Sequence, residues 1–378
     1  MSWTNVLLQE QSERYLCLRE TPSPMRSWQV RSKRPSAHTA AFMKASMSRA
    51  LTFAVCICTL AYPWSAMFVS AQDRFRDPSP HRVTFVSVGK DRRLEVLDWG
   101  GAGRPIILLA GYLTAHVYDD LAPKLSSSAR VYGITRRGLG ASSKPDSGYA
   151  AADSASDVIQ VLDALKITRP VLVGHSFGGQ DLSYIGASYP QRVAGLVYLD
   201  SAEDTSLEPI DGLDPAKLPE RLRVRSRPDM RSYFAYQQWQ KTNLGGAFPE
   251  AELRQLFGER ADGSLGEYQI TKQVRDAMFA GLTPPRYDRI RAPVLALFAL
   301  PLALEEQAQL YQPQNNEEAM ALGLKYGLDL ARFARQRDLL KKSIPKARIV
   351  EIPGASPYIF VSHPEVVLRE IRAFVAGL

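Results

Sequence analysis

The central part of the chain alternates short apolar runs with amphipathic stretches. The runs at 105–110 and 170–173 are apolar throughout, which is typical of strands buried on both faces of a parallel sheet. Residues 150–165 instead place apolar side chains at helical spacing. Because the two patterns alternate with short links, they predict right-handed crossovers and a mostly parallel sheet flanked by helices.

Two alternating segments ahead of these runs predict an antiparallel hairpin. Residues 82–88 and 92–99 alternate apolar and polar positions around the turn Gly89-Lys90-Asp91. Further strands are predicted at 131–134, 193–200, 293–300 and 348–352. Further helices are predicted at 117–125, 317–342 and 364–378, and directly after Ser176.

The rhythm of strands and helices breaks between 201 and about 289, where prolines are frequent. This segment also carries an aromatic cluster inside a predicted helix at 230–239, made of Tyr233, Phe234, Tyr236 and Trp239. We interpret 201–289 as an inserted helical cap. The aromatic side chains either wall an apolar binding site or pack the cap onto the sheet.

The N-terminal pattern is that of a targeting segment. Positive residues after Met43 precede an apolar run at 50–71, which ends in small residues before Gln72. We expect 43–71 to be a secretory signal of an exported, periplasmic or secreted protein; the alternative is a membrane anchor at 50–71. Since signals begin at the initiator Met, translation is expected to start at Met43 or Met47. Residues 1–42 are then a mis-assigned or disordered extension.

Charge and cysteine content narrow the classes of partner and site. The net charge is +8, but most of the excess lies within 1–71, so the folded part lacks the basic cluster that nucleic-acid binding requires. Residues 72–81 form a polar linker, and 82–378 form the folded domain. All three cysteines precede it, at positions 17, 56 and 58, so no disulfide or thiolate metal site is expected there.

Candidate chemistry centres on the sequence Gly174-His175-Ser176-Phe177-Gly178. It follows the apolar run at 170–173 and precedes a helical pattern, so it predicts a sharp strand-to-helix turn. Glycines stand where strand and helix crowd, and Ser176 lies at the tip. Ser176 is therefore the candidate nucleophile, and the alternative is a small residue at a tight turn.

These motifs together resemble those of the α/β-hydrolase superfamily, over residues 82–378. The resemblance implies an α/β-hydrolase fold with an inserted cap. The motifs that carry it, in chain order, are Leu108-Leu109-Ala110-Gly111, Arg137-Gly138-Leu139-Gly140-Ala141-Ser142, the Ser176 turn and Leu199-Asp200.

The resemblance implies roles for several residues. Ser176 would attack, and the backbone N–H groups of Phe177 and Tyr112 would bind the oxyanion. The acid is expected at Asp200, because the strand at 293–300 is followed by no carboxylate before Glu305. Asp200 could instead cap a helix or lie at the cap hinge, and Glu305 is the other candidate acid.

The general base is missing from its expected place. Relatives have a histidine in a context like Pro-Gly-Ala-Ser-His-Tyr, and this chain has Pro353-Gly354-Ala355-Ser356-Pro357-Tyr358. His363 is the remaining candidate for a displaced base, although it also fits the flank of the last helix. We expect His175 to be a packing residue, His116 to lie at the surface or rim, and His81 to lie in the linker.

The expected function is that of a serine hydrolase acting on an ester or related acyl substrate, small and apolar, with weak or lost activity because of Pro357. Two alternatives remain: a non-catalytic binding protein, and cofactor-free haloperoxidase-like or lyase chemistry. A serine at the turn argues against epoxide hydrolases and dehalogenases. No cofactor, metal or nucleic-acid partner is expected. We expect Arg136 and Arg137 either to bind an anion or to form structural ion pairs.

Overall fold

The computed structural model describes residues 75–204, 219, 222 and 226–378. The predicted extension and the signal or anchor segment lie outside these residues. Within the described part, no helix combines the length and apolarity needed to cross a bilayer.

An eight-stranded sheet runs through the domain. Its strands are β1 (Arg82–Val88), β2 (Arg92–Gly100), β3 (Pro105–Leu109), β4 (Arg130–Ile134), β5 (Val171–His175), β6 (Gly195–Leu199), β9 (Val294–Leu300) and β10 (Arg348–Pro353). They lie side by side in the order β1-β2-β4-β3-β5-β6-β9-β10. The predicted hairpin is confirmed: β1 and β2 pair antiparallel, and β2 also pairs antiparallel with β4. All other neighbours in this sheet are parallel.

Helices cover both faces of the sheet, and most lie where the apolar spacing predicts them. The exception is 117–125, which is a 3-10 turn at Ala115–Tyr118 followed by the short helix α1. Pro123 lies in the first turn of α1, where its missing N–H costs no helical hydrogen bond. The described helices are α1 (Ala122–Leu125), α2 (Ala151–Ala164), α3 (Phe177–Ser188), α4 (Tyr233–Leu244), α5 (Glu250–Leu256), α6 (Lys272–Ala280), α7 (Leu304–Tyr311), α8 (Asn316–Ser343), α9 (Ile359–Ser362) and α10 (Pro364–Ala376).

Side chains of the central strands alternate between two apolar clusters, one on each face of the sheet. Leu108 and Val173 belong to one cluster, whereas their neighbours Ile107 and Leu172 belong to the other. All four are fully buried. Burial on both faces explains why these strands read as continuous apolar runs, and each such side chain stabilises the fold by about 1.5–3 kcal/mol.

The sequence predicted a helical cap, but the cap also contains two strands. Between α5 and α6 the chain forms an antiparallel pair, β7 (Phe257–Glu259) and β8 (Leu265–Tyr268). The strands are too short for a clear alternation, so periodicity did not reveal them. The signal that could have done so is the turn Asp262-Gly263, in which Gly263 has φ +80°.

The aromatic cluster of α4 divides into packing and exposed side chains. Tyr236 is buried and meets the ring of Phe257 at 5.4 Å, so it packs within the cap. Phe234 is 68% exposed, so it walls no enclosed site. The packing interpretation therefore holds for Tyr236 and fails for Phe234.

A buried carboxylate joins the cap to the loop after β3. Glu252, in α5, is fully buried and accepts hydrogen bonds from the backbone N–H of Thr114, at 3.0 Å, and from its hydroxyl. Burial raises the pKa of Glu252 to about 7, while the two hydrogen bonds act in the opposite direction. The carboxyl therefore takes up a proton on folding at mildly acidic pH.

We predict that this proton uptake gives Glu252 a contribution to stability that falls as pH rises. A native pKa near 7, above the unfolded value of about 4.5, gives a contribution that is complete below pH 4.5 and is lost through pH 7. The stability of Glu252→Gln relative to wild type should therefore increase by up to about 3 kcal/mol between pH 4.5 and 8. Urea unfolding at both pH values measures this difference.

The matched control is Glu250→Gln on the same helix. Glu250 forms a partly exposed ion pair with Arg254 at 2.7 Å, and such pairs contribute only about 0–1 kcal/mol. Equal pH dependence in the Glu252→Gln variant and wild type would refute the prediction.

Candidate active site

Ser176 lies at a sharp turn between β5 and α3. Its backbone has φ 53° and ψ −124°, a conformation that L-residues rarely adopt. Its neighbours His175 and Phe177 are buried, whereas Ser176 itself is partly exposed. The turn therefore presents this side chain outward from an otherwise closed stretch of chain, as predicted for a nucleophile.

Two close backbone approaches hold the turn in place. A Cβ at Gly178 would lie 2.3 Å from the carbonyl oxygen of Leu109, at the end of β3. A Cβ at Gly111 would lie 2.4 Å from the backbone nitrogen of Phe177 and 2.6 Å from Cβ of Ser176. Only glycine fits at either position, so the loop after β3 lies directly against the turn.

This contact brings together the two backbone groups proposed for the oxyanion. Tyr112 follows Gly111 in the loop, and its buried ring packs on that of Phe177 at 6.2 Å. Among the described residues, neither N–H donates a hydrogen bond to the protein. Both N–H groups thus lack a protein acceptor within the described chain, and their use as oxyanion donors stays a prediction.

Phe177 is also fixed from behind by a buried ion pair. Arg136 pairs with Asp181 and donates a hydrogen bond to the carbonyl of Phe177 at 3.1 Å. Arg137 makes a bidentate pair with Asp157, at 2.5 and 2.6 Å. The structural interpretation of the two arginines is confirmed, since both guanidinium groups have carboxylate partners in the protein.

Asp200 lies at the end of β6, the strand beside β5. Its φ is +48°, and its carboxylate accepts a hydrogen bond from the N–H of Ala299 at 2.9 Å. Desolvation of the half-buried carboxyl raises its pKa to about 7, and the charge of Glu203 acts in the same direction. Arg332 and the Ala299 hydrogen bond lower it. Among the described residues, no histidine bonds to Asp200, so its contacts bridge β6 and β9.

The loop after β10 contacts the turn without supplying an imidazole. Tyr358 and Phe360 pack on the ring of His175, at 5.2 and 5.1 Å between ring centroids. Pro357 precedes Tyr358, in the place where the resemblance implies a histidine. The loop therefore lies beside the residue that precedes Ser176, as expected, but carries no group that accepts a proton.

His363, the candidate displaced base, lies at the start of α10. Its Nδ1 is 3.0 Å from the hydroxyl of Ser362. Within the described chain, the hydroxyl of Ser176 has no hydrogen-bond partner. The structure thus does not join Ser176, Asp200 and His363 into a hydrogen-bonded relay.

The other candidate residues have clear positions. His175 is buried as expected, and burial lowers its pKa to about 4, so it is neutral at pH 7. Glu305 is exposed in the first turn of α7. His116 is not at the surface: it is 6% exposed and lies beside His81, which contacts the folded domain rather than lying in a free linker.

Sequence reasoning missed two buried polar groups near this loop. Glu252 is one, and its signal would have been an acidic residue inside an otherwise apolar helical face. The other is a cluster of two histidines and two aspartates, Asp77, His81, His116 and Asp119. Here the signal was the local spacing of aspartate and histidine, four positions apart in one segment and three in the other.

Comparison with known proteins agrees with this architecture. The model of the alpha/beta hydrolase family matches residues 106–370, well over half of the chain. A 2-(acetamidomethylene)succinate hydrolase from Mesorhizobium japonicum is 26% identical over 288 residues, covering 73% of this chain and 89% of that protein. A serine hydrolase-like protein from Mus musculus is also 26% identical, covering 74% and 91% of the two chains.

Solved structures resemble the chain in fold. A crystal structure of E-2-(acetamidomethylene)succinate hydrolase superposes with a TM-score of 0.55 at 20% identity, over 78% of this chain and 99% of that one. A bromoperoxidase from Bacillus anthracis gives 0.52 at 19% identity, over 78% of this chain and all of that one. The family match, the order of the strands and the turn at Ser176 agree, and the chain belongs to the alpha/beta hydrolase family.

Proposed function

We propose that this protein is a serine hydrolase of small acyl substrates, esters or related compounds, in which Ser176 acts without an imidazole base. The observation that carries the proposal is the pairing of an intact Ser176 turn with Pro357 in the loop beside it. Relatives named as hydrolases support the reaction class. The missing base supports weak turnover.

The geometry supports the usual order of acyl transfer. The oxygen of Ser176 forms a bond to the acyl carbon, and the carbonyl electrons move to an oxygen facing the N–H groups of Tyr112 and Phe177. Collapse breaks the bond to the leaving group, and water then hydrolyses the acyl-serine. The serine proton must pass to solvent, because no described side chain hydrogen-bonds to that hydroxyl.

The missing base determines the expected rate. Loss of a triad member typically lowers kcat by about 10⁴–10⁶, and leaves about 10³–10⁴ over water from substrate binding and oxyanion contacts. A second candidate function, binding of a small molecule without turnover, is favoured by the same Pro357. Haloperoxidase-like or lyase chemistry on this site would need the same absent imidazole.

We also propose export as the setting of this activity, on the basis of the pattern at 43–71. Cleavage after Ala71 predicts a mature protein that begins at Gln72. N-terminal sequencing of the natural product measures this. A mature start upstream of residue 43 would contradict both the signal and the start at Met43 or Met47.

We predict that Pro357→His strongly increases the weak activity of wild type. On a short-chain aryl ester, wild type should exceed Ser176→Ala by no more than about 10-fold, and Pro357→His should exceed wild type by at least about 10²-fold in kcat. Pro357→Asn is the matched control, since it removes the proline without adding a base. High wild-type turnover, or a folded Pro357→His variant with no gain, would refute the proposal.

The Pro357→His variant also serves as the background for testing Asp200 as the acid. Asp200→Asn in the Pro357→His protein should remove most of the gain if the carboxylate orients the new imidazole, with a shift in the pH profile of kcat. Circular dichroism verifies folding, because Asp200 also bonds to β9. Retention of the full gain would assign Asp200 to structure alone.

His363→Ala should change wild-type kcat by less than about twofold. Its ring already contacts Ser362, and no hydrogen bond joins it to Ser176. Steady-state rates on the same ester measure this. A loss of more than 10²-fold would establish His363 as a displaced base.

A further inference from the structure

A buried cluster of imidazole and carboxylate groups lies apart from the turn at Ser176. Asp77 and His81 precede β1, while His116 and Asp119 lie in and just after the 3-10 turn that follows β3. The side chains of His81, His116 and Asp119 are only 3–7% exposed, and that of Asp77 is 23% exposed. Four potential ligand atoms, one from each residue, lie within 4.8 Å of one another.

The separations within the cluster suit a small cation. His81 Nδ1 is 2.9 Å from Asp119 Oδ1, and His116 Nδ1 is 3.2 Å from both Asp119 Oδ2 and Asp77 Oδ2. His81 Nε2 is 3.7 Å from Asp77 Oδ2. Ligands of a tetrahedral zinc ion, bound at 2.0–2.1 Å, lie about 3.3 Å apart. The four side chains therefore need only small movements to enclose one.

Hydrogen bonds alone do not satisfy this arrangement. Nδ1 of His116 faces two carboxylate oxygens but carries at most one proton. Asp77 Oδ2 is buried and accepts no hydrogen bond within the described structure. A cation between the ring and the two carboxylates would bind all of these atoms at once.

The surrounding groups orient the cluster as outer-shell partners do in metal sites. Glu95, buried, places Oε1 3.6 Å from His116 Nε2, on the side of the ring opposite to the aspartates. Trp99 Nε1 donates to Asp119 Oδ1 at 3.2 Å. A carboxylate behind a ligating histidine fixes the tautomer and raises ligand basicity.

We propose that Asp77, His81, His116 and Asp119 bind one Zn²⁺ ion in a closed, structural site. Two imidazoles favour zinc over calcium or magnesium, which prefer oxygen ligands in larger numbers. Four protein ligands leave no open position for catalysis. The site is separate from the proposed hydrolase chemistry and does not depend on it.

The proposed ion would connect two segments that no disulfide can join. The folded domain has no cysteine, and the cluster links the segment before β1 to the one that continues from the Tyr112 loop. Glu95 extends this link, because it accepts from Thr135 Oγ1 at 2.7 Å, and that hydroxyl accepts from Ala115 N–H at 3.0 Å. Zinc should therefore stabilise the domain.

The test is zinc binding to the full chain after removal of metal with EDTA. We expect one Zn²⁺ per chain by calorimetry and elemental analysis, and a rise in Tm of about 4 °C at 100 times Kd. Asp77→Asn, the least buried ligand, should weaken binding at least 10-fold while leaving the fold intact. His116→Asn should weaken it further.

Controls separate this site from other zinc ligands in the chain. A variant with Cys17, Cys56 and Cys58 changed to Ser should keep the site, and its Co²⁺ form should show no thiolate-to-metal charge transfer. His363→Asn, at a histidine outside the cluster, should bind zinc as wild type does. Three results would overturn the proposal: loss of zinc from the cysteine variant, wild-type zinc affinity in both Asp77→Asn and His116→Asn, or no stoichiometric zinc binding.

Discussion

The strained backbone at Ser176 is the constraint that the surrounding strands, helix and loop have to satisfy. A non-glycine residue at φ 53° costs on the order of 1–3 kcal/mol and persists only where its surroundings fix it. Here β5 and α3 hold it from both sides, and Gly178 lets α3 approach the carbonyl of Leu109. The parallel sheet supplies the rigidity, because its central strands are packed on both faces.

The loop that contains Pro357 is held against the turn by ring packing. The loop after β10 is anchored by the rings of Tyr358 and Phe360 on His175, not by a hydrogen bond to Ser176. A proline at 357 is therefore compatible with the position of this loop. In the proposed function, the architecture and the catalytic base depend on different contacts.

The sequence alone predicted the sheet well, because a strand that is buried on both faces needs apolar residues at every position, as at 105–110. It predicted the Ser176 turn because close packing requires glycine at fixed positions. It did not predict β7 and β8, whose three- and four-residue lengths give no period. Nor did it place His116, because one residue in a short 3-10 turn carries no signal of which face is buried. The role of Asp200 likewise depends on residues that are close in space but distant in the sequence, and a local sequence pattern does not predict these contacts.

The loop from Gly111 to Asp119 is where these separate features meet. Its first residue touches the Ser176 turn, Thr114 is held by Glu252 of the cap, and Asp119 belongs to the histidine and aspartate cluster. The N–H of Tyr112 lies between these attachments. An oxyanion donor must be fixed before reaction to be effective, and the loop that carries the proposed donor of Tyr112 is attached to the Ser176 turn, to the cap and to the cluster.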